Sequence, residues 1–171
     1  MSITLYEQSI PFLKEVLASL TSVLQKGASS AKATALVESR IVDDMKPLPF
    51  QVYCVTDLTS KAAARLQGKE PTAYADDMKT FDDFFGRIKE VEAQLDAADK
   101  DLINSRAETN IVMGIGGGKT LELPAKGYVA AYIIPNTMFH LMTAYNILRK
   151  EGIELGKLDF LGAFMGKFSK A

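Results

Sequence analysis

The chain is poor in the residues that usually mark a function. Its 171 residues include no tryptophan, one histidine and one cysteine. The single cysteine, Cys54, excludes an intramolecular disulfide, and its place in an apolar run favours packing as a small hydrophobic side chain. Twenty basic and 21 acidic residues leave a formal net charge of −1, and no run of Lys or Arg forms a positive patch. The electrostatics therefore predict no nucleic-acid partner.

Long hydrophobic runs are also missing. No uninterrupted apolar stretch is long enough to span a bilayer, and the N-terminal segment meets Glu7, Lys14 and Glu15 too early for a signal peptide. We therefore expect no membrane partner and a cytoplasmic location. With 47% hydrophobic and 24% charged residues, the chain fits one globular domain over 1–171.

Four segments carry apolar residues at helical spacing, which predicts four long helices over 6–24, 48–66, 72–95 and 127–150. Pro11 is expected to kink the first helix or to mark its effective start, and Gly27 to end it. Thr72 is the predicted N-cap of the third helix. Pro135 is expected to kink or divide the fourth.

A glycine-rich turn lies between two short strand-like runs, 109–113 and 119–123, which predicts a β-hairpin. Its sequence Gly-Gly-Gly-Lys-Thr over 116–120 resembles the end of a phosphate-binding loop. That loop requires glycine at the position of Met113 and a helix after Thr120, where a strand-like run follows instead. The expected fold is mainly all-α, a four-helix bundle with a small β-hairpin before the last long helix.

The most informative polar residues are His140 and Asn136. Four residues apart on a helix, they share one face of an otherwise apolar segment. Gln51, on the second predicted helix, is a third candidate. Such a cluster either stabilises the packing of the helices, which is the commoner role of a lone histidine, or forms part of a site. Further candidates are the nearby hydroxyls Tyr145, Thr143 and Tyr53, and the acids Asp43 and Asp44 before the second helix.

Several segments carry a family likeness. Residues 43–52, Asp-Asp-Met-Lys-Pro-Leu-Pro-Phe-Gln-Val, resemble the Asp-Met-x-Pro-Leu-x-x-Gln-Val block of the domain-of-unknown-function 1993 family. Residues 135–149 are similar to its Pro-Asn-x-x-Phe-His-x-x-Thr-Ala-Tyr-x-Ile-Leu-Arg block, and residues 156–162 to its Gly-Lys-x-Asp-Phe-Leu-Gly ending. Segments 2–6 and 62–68 fit as well, so the resemblance covers nearly the whole chain.

The resemblance implies a branch of the DinB/YfiT-like up-down four-helix bundles. Many DinB-like proteins hold a divalent metal with three histidines, one on the second helix and two on the fourth. By helix and spacing, Gln51, Asn136 and His140 would occupy those positions. Amide oxygens are poor ligands for zinc or nickel. We therefore expect no metal ligands and no cofactor, with at most a weak site completed by Asp43 or Asp44.

Three functions follow as hypotheses. The first is a small-molecule-binding protein. One version of it is a cofactor-independent isomerase, lyase or cyclisation enzyme, with His140 as its catalytic group. Its ligand-binding residues would be Gln51, Asn136, Tyr145, Asp44 and Thr143. The second is a non-catalytic homodimeric structural or stress-related protein. The third is a metal- or thiol-dependent transferase or hydrolase of the DinB type, which the resemblance alone suggests.

Overall fold

Four long helical segments make up most of the molecule. The structure is a computed structural model that describes residues 3–168. Of Lys167 it describes the backbone alone. Its helices are α1 (Leu5–Ala28), α2 (Ala33–Leu36), α3 (Leu48–Leu66), α4 (Phe81–Asp96), α5 (Lys100–Ser105), α6 (Ala125–Gly127), α7 (Ile134–Lys150) and α8 (Lys157–Met165). The strands are β1 (Asn110–Gly114) and β2 (Thr120–Pro124); a π-helical turn (Tyr128–Ile133) joins α6 to α7, and a 3-10 turn (Gly166–Phe168) follows α8.

The bundle is formed by α1, α3, α4 and α7. Both α1 and α3 pack against α4 and α7, so α1 and α3 lie on opposite sides of the bundle. Each helix buries an apolar stripe at the expected spacing, such as Leu13, Leu17, Leu20 and Leu24 of α1, all inaccessible to solvent. The predicted mainly helical bundle with a two-stranded sheet before its last long helix is confirmed.

The structure decides between the two alternatives for Pro11 only by excluding it as the start of α1. The helix begins at Leu5, and Pro11 lies within it rather than at its start. Thr4 forms a capping box with Glu7, whose carboxylate accepts a hydrogen bond from the Thr4 backbone N–H at 3.0 Å. This cap satisfies N–H groups at the helix start, which fixes the first turn ahead of the proline.

The third long helix begins later in the chain than its apolar spacing predicts. α4 begins at Phe81 rather than at Thr72, and its N-cap is Thr80. Thr80 Oγ1 accepts from the Asp83 backbone N–H at 3.1 Å, and Asp83 Oδ2 accepts from the Thr80 N–H at 2.9 Å. Thr72 has alanine three residues later, so it cannot form this reciprocal pair. The apolar spacing of Tyr74 and Met78 misled the prediction, since both pack from an irregular segment.

Replacing the true cap gives the first testable consequence. Thr80→Ala is expected to lower the free energy of unfolding by about 1 kcal/mol, because the Asp83 N–H loses its acceptor. Urea denaturation measures the loss. Thr72→Ala is the matched control and is expected to be nearly neutral, since Thr72 is exposed and outside any helix. A larger loss for Thr72→Ala than for Thr80→Ala would contradict the assignment of the cap.

The hairpin has the predicted form. β1 and β2 pair antiparallel from Asn110↔Pro124 to Gly114↔Thr120. Gly116, Gly117 and Gly118 all have positive φ angles, of 87°, 58° and 71°, at the tip. Residues other than glycine rarely adopt this left-handed backbone conformation, which explains the three successive glycines. Thr120 starts a strand, so the phosphate-binding-loop likeness has no helix N-terminus behind it.

The last long helical segment is continuous but not uniform. The π-helical turn occupies Tyr128–Ile133, and α7 starts at Ile134, so the predicted division lies next to Pro135. Pro135 stands in the first turn of α7, directly after the π-helical turn, and has no backbone N–H to donate to the carbonyl oxygens of that turn. The π-helical turn itself was not predicted, because its apolar spacing resembles that of an α-helix.

The C-terminal part of the described chain packs against the bundle. α8 lies on α1, and Ser19 Oγ donates a hydrogen bond of 2.7 Å to the Phe160 carbonyl oxygen. Residues 169–171 lie outside the described range. α5 was missed by the sequence analysis. Within residues 3–168, no helix is long and apolar enough to cross a bilayer. The cytoplasmic location stays a prediction.

Candidate functional site

A hydrogen bond joins Gln51 on α3 to His140 on α7. Gln51 Oε1 and His140 Nδ1 are 2.8 Å apart, and Gln51 Nε2 donates to the Lys46 carbonyl oxygen at 3.0 Å. Only the amide nitrogen can donate to a carbonyl, so Gln51 Oε1 must be the acceptor toward His140. The network therefore assigns the proton of the neutral imidazole to Nδ1.

The second ring nitrogen of His140 is left available. Nε2 makes no hydrogen bond within residues 3–168 and is not among the buried atoms without a partner, so it faces solvent-accessible space. Burial of the half-exposed ring lowers the pKa of His140 below its ordinary value. The ring is therefore neutral at pH 7, and Nε2 presents a lone pair that accepts a hydrogen bond or a proton.

Two aromatic rings flank the imidazole. The Phe50 and Phe139 rings meet it edge-on, with centroid distances of 6.0 and 5.2 Å. Phe139 is 58% exposed, and the Lys46 ammonium lies 5.7 Å from the Phe50 ring centroid. These contacts hold the imidazole in place and give the site apolar walls.

Asn136 shares the face of His140 but does not join its hydrogen bond. The two residues are one helical turn apart on α7 and both are half-buried. The Asn136 amide makes no hydrogen bond within the described chain, and its atoms are not buried. The predicted group of two amides and an imidazole is thus a bonded pair plus one neighbouring amide. Only Gln51, at 3% exposure, is fully interior.

The other candidate residues form no hydrogen bond with Gln51 or His140 within residues 3–168. The Tyr145 hydroxyl donates to the Leu155 carbonyl oxygen at 3.2 Å. The Thr143 hydroxyl donates to the Phe139 carbonyl oxygen of its own helix at 2.7 Å. Asp44 is exposed in the loop before α3, and so is Asp43. The structure does not bring these side chains together with Gln51 and His140.

Comparison with known proteins identifies the family. A family model described as "Domain of unknown function (DUF1993)" matches residues 5–161. The chain belongs to the DUF1993 family. Its structure is similar to the crystal structure of a DinB family member protein from Shewanella denitrificans, with a TM-score of 0.83, 28% sequence identity and 92% of each chain covered. No protein with curated annotation matches the chain.

The donors of this DUF1993 protein do not fit the metal site that many DinB-like proteins are expected to have. Gln51 Oε1 already accepts from His140, and Gln51 Nε2 already donates to Lys46. One imidazole nitrogen and one amide remain, a donor set too weak for zinc or nickel. Within residues 3–168, no three His, Cys, Asp or Glu side chains are grouped so that they could hold a metal ion. Burial raises the pKa of the Cys54 thiol to about 12, so a thiolate is not available either.

Two surface cavities of this DUF1993 protein lie apart from the candidate ligand-binding residues. A cavity of about 260 Å³ lies between the end of α1, α2 and the start of α4, and one of about 400 Å³ lies along α8. Neither is lined by Gln51, Asn136 or His140. The pair instead occupies an open position on the α3–α7 contact, with Phe139 and Asn136 at the surface.

Sequence reasoning missed three residues of this DUF1993 protein at the other end of the same contact. Arg65 Nη1 donates to the Tyr128 hydroxyl at 3.2 Å, and the Tyr132 ring stacks on the Tyr128 ring. A signal existed in the four-residue spacing of Tyr128, Tyr132, Asn136 and His140. Because Gln51 pairs with His140 and Arg65 with Tyr128, α3 and the last helical segment run antiparallel.

Proposed function

We propose that this DUF1993 protein binds a small molecule at the Gln51–His140 pair. The ligand donates a hydrogen bond to His140 Nε2 and makes a second contact with the Asn136 amide. One observation carries the proposal: Nε2 has an accessible lone pair and no protein partner, whereas Nδ1 is bonded to Gln51. A solvent-facing nitrogen without a protein partner is free to exchange its water for a ligand group.

The chemistry best suited to this arrangement is proton transfer by His140. The substrate X–H bond breaks, the Nε2–H bond forms, and the imidazolium returns the same proton to another atom of the substrate. Such an isomerisation needs neither a metal nor an external co-reactant. The lowered pKa keeps His140 in the neutral form, which is the base form, at pH 7. Gln51 acts as a positioning residue, because it fixes the tautomer that leaves Nε2 unprotonated.

A second candidate function is a non-catalytic homodimer. Phe139 and Met142, three residues apart on one face of α7, are 58% and 41% exposed. A second copy of the chain covering this face would bury them and close the site. In that case His140 only stabilises the helix contact. A thiol-dependent transferase rests on the likeness of fold alone.

Native mass spectrometry of untagged protein, before and after denaturation and with a metal scan, tests the proposed function. A co-purified organic molecule near one per chain is expected in the wild type. Asn136→Ala is expected to release it, because the amide contributes a ligand contact but no protein contact. A metal-free dimer whose mass equals that of two bare polypeptides would contradict the proposed ligand binding and favour the homodimer.

A further inference from the structure

Arg65 is a half-buried cation without a counter-ion. It lies in the last turn of α3, and it makes no ion pair with any described acid. Removing part of an arginine's charge from water is costly, and a carboxylate partner would reduce that cost. The neighbouring Lys61 is paired with Asp57 at 2.5 Å, so these two charges cancel. Among Asp57, Lys61 and Arg65, the positive charge of Arg65 therefore remains uncompensated.

The guanidinium is held in a defined position. Arg65 Nη1 donates to the Tyr128 hydroxyl at 3.2 Å, and its central carbon lies 6.0 Å from the Tyr128 ring centroid. Tyr128 is inaccessible to solvent, and burial raises the pKa of its hydroxyl, so Tyr128 stays neutral and does not supply the missing anion. The remaining guanidinium N–H groups keep their donor capacity in a fixed fork.

A second potential donor, the Tyr132 hydroxyl, belongs to the ring that stacks on Tyr128. The Tyr132 ring is stacked on the Tyr128 ring with a centroid distance of 5.9 Å and an interplanar angle of 18°. The Tyr132 hydroxyl makes no hydrogen bond within residues 3–168 and is not buried. The π-helical turn, whose hydrogen bonds span five residues, brings the two rings into this parallel arrangement. Such turns occur frequently at functional sites.

We propose that Arg65 and Tyr132 form a binding site for the carboxylate group of a small molecule. The two oxygens of a carboxylate match the guanidinium fork, and the Tyr132 hydroxyl donates a further hydrogen bond. A single uncompensated cation suits a monoanion better than the dianionic form of phosphate. Asp57 opposes anion binding only weakly, because Lys61 neutralises it.

This carboxylate site is separate from the His140 site. Gln51 and Arg65 are about 21 Å apart along the axis of α3, at opposite ends of its contact with the last helical segment. The proposal therefore does not depend on the proposed function, and each can fail alone. A ligand long enough to contact both sites would have its carboxylate at Arg65 and its hydrogen-bond donor at His140.

Titration with acetate, followed by NMR of the arginine Nε–H signals, tests the proposal. We expect a saturable shift of the Arg65 signal with a Kd in the millimolar range, as suits a ligand of four non-hydrogen atoms. In Arg65→Gln, where this signal is absent, binding is followed by the backbone amide signals of Tyr128 and Tyr132 and should be at least tenfold weaker. Tyr132→Phe should weaken it about tenfold, the effect of one hydrogen bond to a charged group, without lowering Tm. Arg149→Gln, which changes an exposed arginine on α7, is the control and should leave binding unchanged.

The other outcomes contradict the proposal. A shift that is linear in acetate, or that KCl reproduces at the same ionic strength, means screening rather than a site. Equal or tighter binding of inorganic phosphate would overturn the commitment to a carboxylate. An unchanged Kd in Tyr132→Phe would remove the second donor from the site. That variant also keeps the test valid if Arg65→Gln fails to fold, because the Tyr132 hydroxyl has no protein partner to lose.

Discussion

Gln51→Glu should raise the pKa of His140 by about 1–3 units, which is the usual effect of a carboxylate in direct contact with a titrating group. In the wild type, burial lowers the pKa of His140, and the neutral Gln51 amide does nothing to reverse this. A glutamate Oε1 at the position of the amide oxygen would accept from Nδ1–H and stabilise the imidazolium. Because His140 is the only histidine, its ring signals in an NMR pH titration need no assignment.

The same substitution reverses the pH dependence of stability. In the wild type the folded pKa of His140 lies below the unfolded value of about 6.5, so the unfolded state binds more protons. The contribution of His140 to the free energy of unfolding is then fully present above pH 6.5, and it falls as the pH drops through the lowered pKa. In Gln51→Glu the folded pKa lies above 6.5, and the contribution of His140 is complete below 6.5 and lost as the pH rises through the raised value.

A matched variant separates contact from overall charge. Gln94→Glu adds the same charge on α4, where Gln94 bonds Ser60 and Tyr74 instead of His140. The pKa of His140 should stay nearly unchanged in that variant. If the pKa of His140 were the same in Gln51→Glu and in the wild type, residue 51 would not contact the imidazole. That result would contradict the proposed site.

His140→Ala should lower the free energy of unfolding by about 1–3 kcal/mol. Gln51 is 3% exposed, so removing the imidazole leaves its Oε1 buried without a donor, and an unsatisfied buried polar group costs about that much. Urea denaturation at pH 7.5 measures the change. The variant should also lose the fall in stability below pH 6.5, because no other histidine titrates there.

Asn136→Ala is the control for this prediction, from the same face of α7 one turn earlier. Its amide has no protein partner, so the substitution should change the free energy of unfolding by less than about 0.5 kcal/mol. Equal losses in the two variants would contradict a specific Gln51–His140 bond. An unchanged stability in His140→Ala would show that the pair contributes nothing to the fold.

Much of the architecture was predictable from the apolar spacing. The stripes of α1 and α3 reach the core as expected, and the three glycines at 116–118 mark a turn that needs positive φ angles. The start of α4 was predictable in principle, since the Thr80–Asp83 capping box is a sequence signature. Apolar side chains in the segment before it outweighed that signal. α5, six residues long, has too short a pattern to detect.

The site was predictable only in part, for physical reasons. The pairing of Gln51 with His140 was predictable because each is a polar side chain on an apolar helix face, where it needs a hydrogen-bond partner. Spacing alone could not reveal that Tyr145 and Thr143 would use their hydroxyls on nearby carbonyl oxygens. It also could not reveal the backbone partner of Gln51 at Lys46 or the π-helical turn, because both depend on tertiary contacts.

The position of the His140 proton tests the account most directly. Nitrogen-15 NMR of the imidazole at pH 7.5 distinguishes the two neutral tautomers without any ligand. The account predicts a protonated Nδ1 and an unprotonated Nε2 in the wild type, with this preference lost in Gln51→Leu, which has no acceptor. A protonated Nε2 in the wild type would contradict it, because the lone pair would then face Gln51 and no acceptor would be offered to a ligand.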